Sequence, residues 1–112
     1  VPIPLHRQKE RARGFNQARL IAEKIAARTG IPAASDILLK TRKTAAQKKL
    51  DYAHRRRNLK DAFSCSRLLK GERVLLIDDV YTTGSTIDAA ASCLKSAGSG
   101  PVFFLTFCIA LR

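Results

Sequence analysis

The fold of this chain is decided by Val74-Leu75-Leu76-Ile77-Asp78-Asp79-Val80-Tyr81-Thr82-Thr83-Gly84-Ser85-Thr86. Its first four residues are an uninterrupted aliphatic run, which predicts a β-strand buried on both faces in a parallel sheet. Two adjacent carboxylates, Asp78 and Asp79, follow where that strand is expected to end. A hydroxyl-rich loop around Gly84 then leads into a helical apolar periodicity. The stretch therefore predicts a strand, a polar turn and a helix N-terminus.

The turn and the helix N-terminus predict a site for an anion. The first N–H groups of a helix lack partners within the helix, and the helix dipole adds partial positive charge there. Hydroxyls add donors and a glycine lets the backbone come close to the ligand; the residues concerned are Thr82, Thr83, Gly84, Ser85 and Thr86. Because the acidic pair would repel a phosphate, the ligand that suits both parts is a sugar phosphate whose hydroxyls donate to the carboxylates.

Other interpretations of an aliphatic strand followed by two aspartates fit less well. A response-regulator receiver needs a phosphoacceptor Asp and a Lys on later strands, but the only acidic residue after Asp79 is Asp88, in the next predicted helix. A P-loop nucleotide-binding protein needs the string G-x-x-x-x-G-K-[ST], which the chain lacks. An acidic pair that only caps a turn would leave the hydroxyl run without a role.

The order of an acidic pair, two spacer residues and Thr-Thr-Gly-Ser-Thr closely resembles the phosphoribosyl pyrophosphate motif of type I phosphoribosyltransferases. The resemblance implies that Asp78 and Asp79 are the catalytic-site carboxylates and hold the ribose 2′- and 3′-hydroxyls. It implies that Thr82 to Thr86 hold the 5′-phosphate. In this family the loop after the first core strand holds the pyrophosphate, a role that falls here to Arg13 and Gly14. The family also implies Mg²⁺, held through the ligand rather than directly by protein side chains.

Positive charge is concentrated in the first two thirds of the chain. Of the 21 Lys and Arg residues, 19 precede Val74, and the formal net charge is +12. Residues 40–60 hold nine Lys or Arg against one acidic residue. We interpret this segment as a flexible hood that closes over pyrophosphate and excludes water, with candidate residues Arg42, Thr44, Gln47, Arg55 and Asn58. Because a basic half also suits nucleic acid, the charge does not discriminate between the two ligands.

A narrower resemblance covers nearly the whole chain. Several segments occur in the order and spacing of the competence protein F family, whose members are amidophosphoribosyltransferase-like proteins associated with DNA uptake. The segments are Pro2-Ile3-Pro4-Leu5, Arg13-Gly14-Phe15-Asn16-Gln17-Ala18, Thr44-x-x-Gln47-x-x-Leu50, Arg55-x-x-Asn58 and Ala62-Phe63, followed by the central motif. Members of that family usually begin with a small cysteine-rich, zinc-ribbon-like region. We therefore expect residues 1–112 to be a single phosphoribosyltransferase-like domain that lacks this region.

The periodicity predicts an α/β domain of the type I phosphoribosyltransferase kind, with a mainly parallel sheet flanked by helices. Strands are predicted near 1–5, 37–40, 73–78 and 102–110, and helices near 17–29 and 86–97. Asn16 is the expected N-cap of the first helix and Gly30 its C′ residue. The last apolar run is expected to be a buried strand, with Phe103, Phe104 and Phe107 in the core rather than on a base-stacking surface.

The cysteines and the hydropathy favour a cytoplasmic protein. Cys65, Cys93 and Cys108 lack C-x-x-C spacing, so on their own they predict no zinc site and indicate reduced, buried thiols. No apolar run approaches the ~20 residues of a membrane-spanning helix.

The function implied by these resemblances is binding of phosphoribosyl pyrophosphate with Mg²⁺, with transfer of the phosphoribosyl group to an unidentified acceptor, as in pentosyl glycosyltransferases. The alternative is a non-catalytic protein. It would be a phosphoribosyl pyrophosphate sensor, or a DNA-uptake factor of the competence machinery that binds single-stranded DNA through its basic half. Only DNA binding should survive Asp78→Asn and Asp79→Asn, and it should weaken steeply with salt.

Overall fold

The structure of the chain is a computed structural model that describes residues 1–5, 11–12, 14–41 and 62–110. In chain order the elements are helix α1 (Gln17–Thr29), strands β1 (Leu38–Lys40), β2 (Phe63–Cys65) and β3 (Val74–Tyr81), helix α2 (Ser85–Ser96) and strand β4 (Val102–Ile109). Both predicted helices and the strands predicted near 37–40, 73–78 and 102–110 are confirmed. The largest difference from the predicted bounds is at the end of β3, which continues to Tyr81 instead of ending near residue 78.

The site-bearing strand β3 has parallel neighbours on both sides. Its pairing with β4 runs from Val74 opposite Val102 to Tyr81 opposite Ile109. On its other side, Ile3 N–H donates to the Ile77 carbonyl oxygen at 2.8 Å, and Ile77 N–H donates to the Val1 carbonyl oxygen at 2.9 Å. Pro2 forms the isolated parallel bridge to Ile77. The strand predicted over residues 1–5 is thus a short parallel contact, because two prolines within it cannot donate to a ladder.

Strand β1 has an antiparallel partner, which the expectation of a mainly parallel sheet did not include. Leu38 lies opposite Cys65 and Lys40 opposite Phe63, so β1 and β2 form a separate two-stranded sheet among the described residues. The sequence did not predict β2, because a strand of three residues is too short to display a period of two. The pair brings together Thr41 and Ala62, the described residues on either side of residues 42–61, and Thr41 N–H donates to the Ala62 carbonyl oxygen at 2.8 Å.

Helix α1 begins and ends where its capping residues predict. The Asn16 side-chain oxygen accepts a hydrogen bond from Ala18 N–H at 3.0 Å, and Gly30 adopts the left-handed conformation with φ 78°. Gly30 N–H donates to the Ala26 carbonyl oxygen at 2.9 Å, which satisfies one of the last helical carbonyls. The helix packs on β3 through the apolar face predicted for it, which is buried or half-buried at Ala18, Ile21, Ala22, Ile25 and Ala26.

The core lies between the sheets and helix α2. Leu76 of β3, Leu94 of α2 and Leu38 of β1 are its largest fully buried side chains. The predicted stripe of α2 faces this core, with Ile87, Ala90 and Leu94 buried and Ala91 half-buried. Packing of α2 against both β2 and β4 fixes the helix that starts at the end of β3.

Strand β4 is largely exposed, so the expectation that its aromatic residues belong to the core is wrong. Phe107 is 81% exposed and Phe103 56%, and Phe104, Leu105 and Ile109 are also exposed. Phe104 makes a stacked contact with Tyr81, with ring centroids 5.4 Å apart. A continuous apolar run predicts a strand, but burial needs a second layer on each face.

Across the described ranges, no helix is both long and apolar enough to cross a membrane.

Candidate functional site

The acidic pair lies within the last half of β3 rather than after its end. Asp78 lies opposite Thr106 and Val80 opposite Cys108, so the parallel register is the same on both sides of Asp79. The sequence placed the end of the strand at Asp78 because aspartate is rare in strands. Val80 and Tyr81 continue the strand, since a β-branched and an aromatic residue suit the pleated surface.

Each carboxylate is oriented by the backbone that follows it. Asp79 N–H donates to Asp78 Oδ1 at 2.8 Å, and Val80 N–H donates to Asp79 Oδ1 at 2.9 Å. A carboxylate has two oxygens with about four acceptor positions. Both side chains, each half-buried, therefore retain capacity to accept hydroxyl groups of a ligand while the backbone holds one oxygen of each.

Asp78 is harder to ionise than an ordinary aspartate. Burial raises the pKa of Asp78 from its ordinary value of 3.8 to about 6, and the neighbouring Asp79 carboxyl adds to the rise. The Asp79 backbone N–H and the positive charge of Lys40 act in the opposite direction. A neighbouring carboxylate disfavours the charged form, so Asp78 takes up a proton more readily than an isolated aspartate would.

The loop after β3 is organised by its hydroxyl groups and one glycine. The Thr83 and Ser85 hydroxyl oxygens are 2.9 Å apart, and Ser85 N–H donates to Thr83 Oγ1 at 3.3 Å. Gly84 is buried with φ 84°, whereas the four hydroxyl residues around it are exposed. The buried glycine thus turns the chain, and the hydroxyls of Thr82, Thr83, Ser85 and Thr86 face outward.

Helix α2 begins at this loop and leaves its first turn open. Gly84 is the N-cap, and its carbonyl oxygen accepts the first helical hydrogen bond from Asp88 N–H at 2.8 Å. A glycine has no side chain that can cap the following N–H groups, and no side-chain cap is present at this helix end. Ser85 N–H already donates to Thr83 Oγ1, so the N–H groups of Thr86 and Ile87 are the ones in the first turn that lack a partner among the described residues. Together with the positive end of the helix dipole they lie beside the exposed hydroxyls, which is an arrangement suited to phosphate.

The loop before α1 is tied to the parallel contact beside β3. Asn16 Nδ2 donates to the Ile3 carbonyl oxygen at 3.1 Å while its Oδ1 caps the helix, so one buried side chain links both elements. Gly14, predicted to bind pyrophosphate, is exposed two residues earlier. Arg13, the other residue predicted for that role, lies outside the described residues.

Of the basic segment, residues 40–60, the structure describes only Lys40 and Thr41. The five predicted hood residues, Arg42, Thr44, Gln47, Arg55 and Asn58, lie outside the described residues. Lys40, at the end of β1, is close enough to Asp78 for its charge to lower that residue's pKa, and its Nζ lies 6.0 Å from the centre of the Phe63 ring. Lys40 is thus near the acidic pair, although β1 and β3 belong to separate two-stranded sheets.

Sequence reasoning missed one feature of the site and one feature of the fold outside it. Tyr81 was treated as a spacer, but its ring supports the Gly84 turn, and a Cβ on Gly84 would approach its hydroxyl. Cys65 and Cys93 were treated as separate buried thiols, but their Sγ atoms are 3.5 Å apart. The aromatic spacer inside the motif was a usable signal for the first, whereas no sequence pattern indicated the second. The third cysteine, Cys108, is exposed rather than buried.

Comparison with known proteins agrees with the geometry of β3, its loop and α2. The family described as phosphoribosyl transferase domain matches residues 14–109. Competence protein F of Haemophilus influenzae is 37% identical over 102 residues, which cover 88% of this chain and 44% of that protein. DNA utilization protein YhgH of Escherichia coli O157:H7 is 34% identical over 108 residues, which cover 96% of this chain and 48% of that protein.

A third relative has a similar degree of identity. Competence protein ComFC of Bacillus subtilis is 38% identical over 100 residues, which cover 88% of this chain and 38% of that protein. The chain spans less than half the length of each of these relatives. No solved structure matches the chain significantly. From the domain match and the relatives together, the chain belongs to the competence protein F family and carries the α/β fold of the type I phosphoribosyltransferase domain.

Proposed function

We propose that this domain binds phosphoribosyl pyrophosphate together with Mg²⁺. The observation that carries the proposal is the continuity of β3, the hydroxyl loop and α2, which joins two hydroxyl acceptors to an anion site in nine residues from Asp78 to Thr86. A ligand that bears both a phosphate and a pair of neighbouring hydroxyls satisfies both parts. An inorganic phosphate or a nucleobase satisfies at most one.

In this proposal each part of the site has one task. Asp78 and Asp79 accept hydrogen bonds from the ribose hydroxyls and so orient the ring. The open first turn of α2 and the hydroxyls from Thr82 to Thr86 hold the 5′-phosphate, since N–H and O–H donors stabilise its charge. Arg13, Gly14 and cations of residues 40–60 would face the pyrophosphate.

The oxygen atoms of the described site are compatible with a magnesium ion that is held mainly by phosphoribosyl pyrophosphate. Mg²⁺ requires hard oxygen ligands in octahedral geometry and usually binds proteins through one or two carboxylates plus phosphates. Asp78 and Asp79 would orient the ribose hydroxyls, and the ion would be held through phosphoribosyl pyrophosphate rather than directly by these side chains. No group of three or more His, Cys, Asp or Glu residues suited to a metal occurs in the described part of the chain. The ion when bound would neutralise charge on the pyrophosphate.

Phosphoribosyl transfer would follow if an acceptor enters the site. The bond from C1′ to the pyrophosphate oxygen breaks and a bond from C1′ to the acceptor forms. The chain's contribution is to hold the ribose in position and to stabilise the departing negative charge with fixed donors and cations. A basic segment that covers the site would exclude water, which otherwise competes with the acceptor.

The test is calorimetric titration of phosphoribosyl pyrophosphate into the protein with Mg²⁺, repeated with EDTA. We expect saturable binding that requires Mg²⁺ and weakens at least about tenfold in Asp79→Asn, or ~1.4 kcal/mol. The matched control is Asp36→Asn, which removes an exposed carboxylate and should bind as the wild type does. Absence of binding in a sample shown to be folded by circular dichroism would overturn the proposal.

A second candidate function is binding of single-stranded DNA by the basic half. It is favoured by a charge of +12 and by relatives whose names refer to competence and DNA utilization. We expect fluorescence anisotropy with a labelled oligonucleotide to give an affinity that falls steeply between 50 and 200 mM salt, roughly 10³-fold for about six phosphate contacts. Asp78→Asn and Asp79→Asn should leave this affinity unchanged or slightly raised. If the affinity for the oligonucleotide does not change with salt concentration, binding of DNA through the basic half is excluded.

A further inference from the structure

Two of the three cysteines meet in the fold although they are 28 positions apart in the sequence. Cys65 ends β2 and Cys93 lies in the last turn of α2, and their Sγ atoms are 3.5 Å apart. The Cys65 thiol also donates to the Cys93 carbonyl oxygen at 3.7 Å. A disulfide has an S–S distance of about 2.04 Å, so the two sulfurs need to approach by only roughly 1.5 Å to be joined.

Both thiols are free and neither is sealed from solvent. Each is half-buried rather than fully buried, so a small oxidant has access to the pair. The pair contacts neither the acidic residues nor the hydroxyl loop through a hydrogen bond. Within the described residues it also belongs to no cluster suited to a metal ion. Its proximity is therefore a separate feature of the fold from the site on β3.

The two thiols are chemically unequal. Burial raises the pKa of Cys93 to about 12, and the hydrogen bond and charge of the neighbouring Cys65 contribute to the rise. Cys93 consequently keeps its proton near neutral pH. Because the thiolate is the reactive form, the raised pKa of Cys93 assigns that thiol to the second step of an oxidation, in which it attacks a sulfur already oxidised on Cys65.

We propose that Cys65 and Cys93 form a reversible oxidation site at which hydrogen peroxide converts the pair into an intramolecular disulfide. The Cys65 thiolate attacks one peroxide oxygen, the O–O bond breaks, and the hydroxide that leaves takes up a proton to become water. The product is a sulfenic acid on Cys65. The Cys93 sulfur then attacks the Cys65 sulfur, the S–O bond breaks, and the hydroxyl leaves as water with the Cys93 proton. Two thiols lose two electrons in all, and one peroxide becomes two waters.

The disulfide joins two elements that border different parts of the site. It links β2, the first strand after residues 42–61 in the sequence, to the helix whose N-terminus carries the hydroxyl loop. The closed loop contains all of β3 and the loop from Thr82 to Thr86. Closing a loop of this length restricts the unfolded chain, so the oxidised protein is the more thermally stable form.

Cys108 has to be removed before the test, because its exposed thiol can form disulfides between molecules. It lies on β4, where its thiol donates to the Asp79 carbonyl oxygen at 3.7 Å. The full chain carrying Cys108→Ser is treated with hydrogen peroxide and then digested with trypsin. Cleavage at basic residues places the two cysteines in separate peptides, residues 61–67 and 74–95.

The expected result is loss of both titratable thiols, a mass decrease of about 2 Da from two lost hydrogens, and a linked pair of those peptides. Dithiothreitol should restore both thiols, and the oxidised form should melt at a higher temperature than the reduced form. Linkage only between molecules would overturn the proposal. So would irreversible oxidation of Cys65, about 32 Da heavier, in a folded protein whose Cys93 remains a thiol.

Matched variants separate the two roles in the Cys108→Ser background. Cys93→Ala leaves Cys65 without a second thiol, so we expect a sulfenic acid that dimedone traps. Cys65→Ser leaves Cys93 alone, and we expect it to react at least tenfold more slowly with peroxide than Cys65 does in the Cys93→Ala variant. Equal rates in the two variants would contradict the assignment of Cys65 as the first thiol to react.

Discussion

Tyr81 and Gly84 approach each other across the turn from β3 to α2, where a Cβ atom on Gly84 would lie 2.6 Å from the Tyr81 hydroxyl oxygen and 3.2 Å from Cζ. Gly84 also has φ 84°, in the region that side chains rarely adopt. This position therefore requires glycine for two reasons, its backbone conformation and the space beside it. Both reasons concern the residue at which the phosphate loop becomes a helix.

We expect Gly84→Ala to lower the free energy of unfolding by about 1–3 kcal/mol, the usual strain of a left-handed non-glycine residue. The same substitution should weaken binding of phosphoribosyl pyrophosphate, since the loop must shift to relieve the contact. Thermal melting and titration of each variant measure the two effects.

Tyr81→Phe provides the control for Gly84→Ala, because it removes the hydroxyl oxygen but keeps the ring. The double variant should recover part of the lost stability, and the part that remains lost reports the backbone strain. If the Gly84→Ala protein melts at the wild-type temperature, neither the left-handed backbone of Gly84 nor its close approach to Tyr81 requires glycine.

The raised pKa of Asp78 makes stability depend on pH in a defined direction. Between pH values near 3.8 and 6 the folded protein holds a proton that the unfolded chain releases. Stability therefore falls as pH rises through this window, and the ionised carboxylate destabilises the fold above it. We expect Asp78→Asn to melt a few degrees higher than the wild type at pH 8 and at nearly the same temperature at pH 4.

Asp36→Asn, which removes an exposed carboxylate, serves as the control for this pH series. Its difference from the wild type should be small and similar at both values of pH. An Asp78→Asn protein that is less stable than the wild type at pH 8 would contradict the direction assigned to this carboxyl.

The same proton affects the ligand in the proposed function. An ionised carboxylate accepts hydrogen bonds from the ribose hydroxyls, whereas protonation of Asp78 near pH 6 removes acceptor capacity. We expect the affinity for phosphoribosyl pyrophosphate, measured by calorimetry with Mg²⁺, to rise between pH 5 and 7.5. Because a phosphate group also titrates near pH 6, the informative quantity is the difference from Asp78→Asn, whose rise should be shallower. Identical pH profiles would exclude Asp78 as the titrating acceptor.

Asn16 performs two structural tasks, and two substitutions separate them. Asn16→Asp keeps an oxygen for Ala18 N–H but loses the donor to the Ile3 carbonyl, whereas Asn16→Ala loses both bonds. We expect Asn16→Ala to reduce the free energy of unfolding by about 1–3 kcal/mol, from the lost cap and an unpaired buried carbonyl. Asn16→Asp should fall between Asn16→Ala and the wild type in urea denaturation. Equal stability of all three proteins would show that the cap contributes nothing.

The parts of the fold that could be predicted are those set by local chemistry. The N-cap oxygen of Asn16 and the left-handed Gly30 predict where helix α1 begins and ends, because each acts within one turn of the chain. The aliphatic run before Asp78 likewise predicts β3, and the hydroxyl residues after it predict the loop and the start of α2. Each of these signals lies within a few residues of the feature that it predicts.

The parts that could not be predicted depend on contacts between distant residues. The antiparallel partner of β1 lies more than 20 residues later, at Phe63 to Cys65. The proximity of Cys65 and Cys93 follows from the packing of α2 on β2, which no local pattern encodes. The exposure of Phe107 likewise depends on what covers β4, whereas hydropathy reports only that the residue is apolar.

Leu94 and Phe107 test this distinction, because hydropathy assigns both to the core and the structure buries only one. Leu94 is fully buried, whereas Phe107 is 81% exposed. We expect Leu94→Ala to reduce the free energy of unfolding by about 2–5 kcal/mol through the cavity that it leaves. Phe107→Thr keeps a residue suited to strands and should change the same quantity by less than about 0.5 kcal/mol. Urea denaturation of both variants decides the question: a loss for Phe107→Thr as large as that for Leu94→Ala would mean that β4 is covered.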